Sequence, residues 1–164
     1  MRIALLLAHR LHNAGLVVLA VGILALIARL SSQPLLMAPF APSIFIILTQ
    51  PKAKGSTPST LIAAYVASAV ISVLLKDALP SDWWTVALTT GGAILALEAL
   101  DILHPPAVAV PILVTLGNGQ FPLAAFTIGV VALALMAFVS RRLPKWAAAK
   151  SMPAQLGLGS GDAA

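Results

Sequence analysis

The chain has 164 residues, 60% of them hydrophobic and only 9% charged, with a mean hydropathy of +1.00. Ordinary soluble domains carry roughly 25% charged residues. This composition therefore excludes one and describes an integral membrane protein, long enough for four to six spans of about 20 residues each. The lack of cysteine excludes disulfides and thiolate metal sites, and the net charge of +5 lies in loops and the C-terminal stretch, where it reads as topology rather than a nucleic-acid surface.

Taken in order, the mixed stretch 1–13 leads into the apolar run Ala14–Ala28, which ends at Arg29 and reads as the first span. A signal peptide is the competing reading, but no small-x-small cleavage site follows the run. Gln33–Gln50 is apolar but interrupted by Pro34, Pro39 and Pro42, and only Ile44–Leu48 within it is fully apolar. A basic loop with Pro51, Lys52, Lys54, Gly55 and Pro58 follows. Ser59–Leu75 is a clean span, whose Ala63, Ala67 and Ser68 suit close helix packing. After a polar loop, Trp83 and Trp84 read as interfacial anchors of a span from about Thr85 to Leu103.

Pro105–Leu116 is apolar but too short to cross comfortably alone. Gly117-Asn118-Gly119 is a turn, and Phe121–Val139 is the last span. Residues 1–146 thus form one membrane domain, and 147–164 read as a disordered tail.

A shift of 66 residues lays Pro39–Thr49 over Pro105–Thr115, with four of eleven positions identical, and the flanking spans follow. This predicts an all-α helical bundle built as span, proline-broken segment, span, twice over, at about 14–76 and 80–142. Internal repeats with broken helices are a transporter trait. If both broken segments cross, eight Lys and Arg lie on the side of the termini against two opposite; if both dip in and return, the division is seven against three. A five-crossing chain places four against six and conflicts with the positive-inside rule, leaving six crossings slightly ahead of four.

Glu98, Asp101 and His104 stand at i, i+3 and i+6, which on a continuous helix puts them on or near one face. Carboxylates in hydrocarbon are costly, so that face is expected to look into the protein or a wet cavity. His104 sits on the break made by Pro105 and Pro106, where an imidazole can exchange a proton or donate to an anion. Glu98 and Asp101 would set its protonation. Half-helices beginning after Pro39 and Pro105 would point free N–H groups at a small anion near the bilayer middle, with Ser43 adding a hydroxyl. No G-x-S-x-G, H-E-x-x-H or Gly-rich phosphate loop is present. Neither an enzyme nor a cofactor nor a bound metal is expected.

His104-Pro105-Pro106-Ala107 after an apolar span resembles the signature of the HPP family of small integral membrane proteins. Pro39-Phe40-Ala41-Pro42-Ser43 is similar to that family's Pro-Phe-Gly-Ala-Ser element, and Gln50-Pro51-Lys52 to its Gln-Pro-Arg/Lys loop. The order and spacing agree over about residues 15–143. The resemblance implies a multi-span membrane protein of the bacterial type, related to members linked to nitrite transport in plastids and cyanobacteria. The site residues expected from the two proline breaks are His104, Pro105, Pro106, Ala107, Pro39, Ala41 and Ser43. Ala41 departs from the family's glycine, Pro42 from its small residue and Ala53 from the Asn of its loop.

The expectation is a transporter or channel for a small inorganic anion, nitrite being the named candidate. It would sit in the bacterial inner membrane with both termini cytoplasmic, in contact with lipid and not with nucleic acid. The alternatives are a non-transporting scaffold or accessory subunit, and a cation or metal carrier using Glu98 and Asp101. The small residues of the spans suit a homo-oligomer and packing within one chain equally.

Overall fold

The computed structural model describes residues 2–31, 39–80, 82–116 and 121–142, and these are helical throughout, joined by short turns. The helices are α1 (Arg2–Ser31), α2 (Phe40–Thr49), α3 (Pro58–Ala78), α4 (Trp83–Ala99), α5 (Val110–Leu116) and α6 (Leu123–Arg142). Short 3-10 turns cover Lys54–Ser56 and Pro105–Ala109. The Gly117-Asn118-Gly119 turn, most of the proline-containing stretch before α2, and the tail lie outside the described residues.

Local chemistry sets the ends of these helices. Thr57 caps α3 by accepting from Thr60 N–H, and Pro58 occupies the first helical position, where its missing N–H costs nothing. Asp82 caps α4 through Trp83 N–H and also accepts from the Trp84 indole. At its other end α4 stops at Ala99, short of the Leu103 expected from hydropathy. There Ile102 N–H reaches back to the Leu97 carbonyl and Asp101 N–H to that of Glu98, while Asp101 takes a left-handed φ of 53°. This is a Schellman ending with Asp in the place usually held by Gly. Asp101, not the proline pair, stops the helix.

Among the described residues, only α3 and α6 are long and apolar enough to cross a membrane by length and composition alone. The bundle turns apolar side chains outward as well as inward: Val70 and Leu74 of α3, Leu95 of α4 and Leu135 of α6 are all exposed. That is the surface of a protein solvated by lipid rather than water.

Hydrogen bonds fix the ends of the bundle. Arg141 Nη1, at the end of α6, donates to the Pro51 carbonyl, and Lys54 pairs with Asp101, just past α4. The end of α2, the start of α3, and the ends of α4 and α6 therefore gather on one side. On the opposite side α3 and α4 join through residues 79–82, where Thr85 donates to the Pro80 carbonyl. The stretch 105–116 starts at the first side, beside Gly55, and runs until Thr115 meets Thr89, six residues into α4. Since α6 comes back from the far side, 105–116 runs from the first side towards the other. The pairs α2 and α5, and α3 and α6, accordingly run in opposite directions.

Three rings hold the interior. Phe40, at the start of α2, lies 5.7 Å from Tyr65 and 6.4 Å from Phe126 between centroids, and Tyr65 lies 5.9 Å from Phe126. Phe40 fits because α6 carries Gly129 opposite it; a Cβ there would stand 2.1 Å from the ring.

Candidate functional site

The two proline-broken segments are joined through side chains. Ser43, one turn into α2, lies with its Oγ 2.7 Å from Nε2 of His104, which precedes the 3-10 stretch Pro105–Ala109. Nδ1 of His104 lies 2.8 Å from the Gly55 carbonyl. The Tyr65 hydroxyl, from α3, is 2.7 Å from Ser43 Oγ and donates to the Pro39 carbonyl at 2.9 Å. Ser43 Oγ also reaches that carbonyl, at 3.0 Å. All three side chains are fully buried. One connected set of hydrogen bonds thus joins Pro39 at the first break to His104 at the second, with Tyr65 closing the loop.

Each participant is placed for a local reason. Pro42 follows two residues with no intrahelical acceptor to fill, so α2 can open on a proline-rich turn, and Ser43 then faces inward from its first turn. Gly55 approaches the chain closely enough that a Cβ would stand 3.0 Å from the Leu103 carbonyl. That approach brings its own carbonyl to the imidazole. Tyr65 stands seven residues into α3, about 10 Å from that helix's start at 1.5 Å per residue. The Tyr65 backbone therefore lies about a third of the way along α3, on the side of Lys54 and Arg141.

Of the residues expected at the site, His104, Pro106, Ala107, Pro39 and Ser43 are buried, whereas Ala41 and Pro105 face outward. The carboxylates do not join them. Because α4 ends at Ala99 and Asp101 turns left-handed, the i, i+3, i+6 face is never built. Asp101 points away, 82% exposed and paired with Lys54, and Glu98 is exposed as well. The groups that meet His104 are a serine and a backbone carbonyl, not Asp101 or Glu98.

A second correction concerns the segment after Pro105. It opens as a 3-10 turn, Ala107 N–H is already bonded to the His104 carbonyl, and the α-helix that follows has only seven residues. No free α-helical N-terminus is built there. Thr49 bonds back to the Phe45 carbonyl, whereas Thr115 meets the Thr89 hydroxyl across the α4–α5 contact.

Sequence reasoning missed Tyr65 and Gly55. The signal for Tyr65 was present: it is the chain's single tyrosine, set in an apolar span with Ser68 and Ser72 three and seven residues further on. Gly55 carried none, because nothing in a basic turn announces which carbonyl will face a histidine fifty residues away. Among the described residues, no three His, Asp or Glu side chains gather closely enough to hold a metal ion. A groove of about 460 Å³ opens elsewhere, between α1 and α2, lined by Asn13, Ala14, Val17, Val18 and Phe45.

Comparison with protein families gives a match to the model described as HPP, transmembrane region, over residues 5–150. No curated protein and no solved structure matches the chain.

Proposed function

The chain belongs to the HPP transmembrane family, and on that premise we propose that it carries a small inorganic anion, nitrite first among the candidates, past the contact between its two broken segments. One observation supports this reading above the others. Three buried polar side chains, Ser43, Tyr65 and His104, converge where the two segments meet, whereas Ser72 and Thr89 bond back to their own helices. Polar side chains buried at membrane depth are costly to keep and mark pathways more often than packing. The opposite directions of α2 and α5, and of α3 and α6, are those of an inverted repeat, the arrangement in which transporters place a site between two halves. Ser43, Tyr65 and His104 supply the hydroxyl and imidazole donors that a small anion would need once the segments part.

The orientation proposed puts Lys52, Lys54, Arg141 and Arg142 in the cytoplasm, as the positive-inside rule favours, with the protein in a bacterial inner membrane.

The test is uptake of nitrite into proteoliposomes of the full chain, beside protein-free vesicles. His104→Ala is expected to abolish uptake while the protein still purifies as a folded species. Uptake equal to that of empty vesicles for the folded wild type removes nitrite, and the same result across a panel of small anions removes the transport reading in favour of a scaffold.

A further inference from the structure

We infer that Ser43, Tyr65 and His104 form a proton-exchange site, so that the anion moves together with a proton. This rests on the transport reading and specifies its coupling.

The directions of the hydrogen bonds follow from what each atom can do. A carbonyl only accepts, so Nδ1 of His104 carries the hydrogen that meets Gly55. In the neutral ring Nε2 is then a bare lone pair, and Ser43 Oγ donates to it. The Tyr65 hydroxyl has two acceptors in reach, Ser43 Oγ and the Pro39 carbonyl. One added proton reverses the Ser43–His104 bond and strands neither group. Nε2–H now donates to Ser43 Oγ, and the Ser43 hydroxyl turns to the Pro39 carbonyl or the Tyr65 oxygen. A buried histidine fixed for one state alone would lose a partner on protonation. Here both states are fully bonded.

The protons balance along the same path. A proton arriving from water adds to the Tyr65 oxygen while the phenol passes its own to Ser43 Oγ, and Ser43 passes its own to Nε2. Three O–H or N–H bonds form on the protein, two break, and one positive charge remains on the imidazole. The reverse sequence discharges it.

A separate observation bears on the way in. Ser68 lies one turn beyond Tyr65 on α3, towards the end of the bundle opposite Lys54. It is fully buried, and its Oγ has no hydrogen-bond partner. Buried hydroxyls are rarely left so, and a water that relays protons to Tyr65 would satisfy it. Of the ionisable groups on the elements around His104, Tyr65 is buried; Lys54 and Asp101 are exposed and paired with each other, Arg141 is bound to the Pro51 carbonyl, Glu98 is exposed, Arg142 ends α6, and Lys76 and Asp77 lie at the far end of α3.

Two measurements on the full chain in lipid test this. The first is ¹⁵N NMR of the histidine rings, with His104 assigned by difference from His104→Gln. The neutral ring is expected as the Nδ1–H tautomer, the less common one in water. Acidification is expected to add Nε2–H. An Nε2–H neutral ring, or no titration, overturns the proposal whatever is transported. The second is nitrite uptake with lumenal pH followed alongside. Wild-type uptake is expected to acidify the lumen in step and to quicken with an inward proton gradient. Tyr65→Phe, which keeps the ring and its packing, is expected to lose that response. Uptake indifferent to the gradient in the wild type overturns the coupling and leaves anion transport standing. With the expected tautomer but no uptake of any anion, the transport reading itself falls and takes the coupling with it.

Discussion

At Ser43 a single hydroxyl faces three acceptors or donors at once: the imidazole, the phenol and the Pro39 carbonyl. Removing it strands Nε2 of His104 without its hydroxyl partner. Ser43→Ala is therefore expected to cost about 1–3 kcal/mol, the usual penalty for an unsatisfied buried polar group, read as a lower unfolding midpoint in mild detergent. Ser43→Thr, which keeps the hydroxyl, tests whether the loss is of the bond or of the space. Glu98 and Asp101 belong to the other extreme. Both are exposed, and an exposed pair such as Lys54–Asp101 is worth about 1 kcal/mol at most. Glu98→Gln and Asp101→Asn are expected to leave uptake unchanged, and abolition of transport by either would revive the cation-carrier alternative. The serine and the histidine at the break could be picked out from the sequence. Which carboxylates would reach His104 could not, because that depended on one residue's φ.

Helix endings decide where the breaks fall. The left-handed Asp101 ends α4, and its strain is intrinsic to a residue with a Cβ. Asp101→Gly is expected to be tolerated, relief of that strain offsetting the lost ion pair, while Asp101→Val is expected to cost about 1–2 kcal/mol. Equal stability of the two variants would mean that α4 does not end in the Schellman turn. The start of α2 is anchored differently, by Phe40 against Gly129 on α6. Gly129→Ala drives a methyl into a ring held by Tyr65 and Phe126, and overpacking of this kind costs about 1–3 kcal/mol. Partial rescue by Phe40→Leu in the double variant is the check, since it restores the space without touching α6. The long spans were legible because twenty apolar residues leave few choices; α3 and α6 differ from their predicted ranges by only a few residues at each end. The short segments were not, since prolines mark a break without saying whether α-helix or 3-10 turn follows.

Across the whole molecule, the alternation of α3, α4, the segment 105–116 and α6 places Lys52 and Arg142 at one end of the bundle and Lys76 at the other. The chain has no cysteine, so single cysteines can report this without background. Lys52→Cys and Arg142→Cys are expected to react with a membrane-impermeant thiol reagent from the same side, and Lys76→Cys from the opposite one. Labelling of Arg142→Cys from the same side as Lys76→Cys would mean that the segment 105–116 returns to its starting face and that the opposed directions of α3 and α6 are wrong.

Composition alone determined that this is an all-helical membrane protein, since a chain with so little charge can satisfy its backbone in lipid only by forming helices or a closed barrel and its apolar runs have helical length. The motifs around Pro39 and His104 placed both ends of the central contact in the sequence and named its family. Tertiary structure alone decided what His104 meets. The Gly55 carbonyl, the Tyr65 phenol and Ser43 lie 49, 39 and 61 residues away in the chain, and no local pattern encodes contacts between groups so distant. They are brought together by packing, through Phe40 seated against Gly129 and α4 turned out by Asp101, and these depend on volumes and backbone angles rather than on hydropathy.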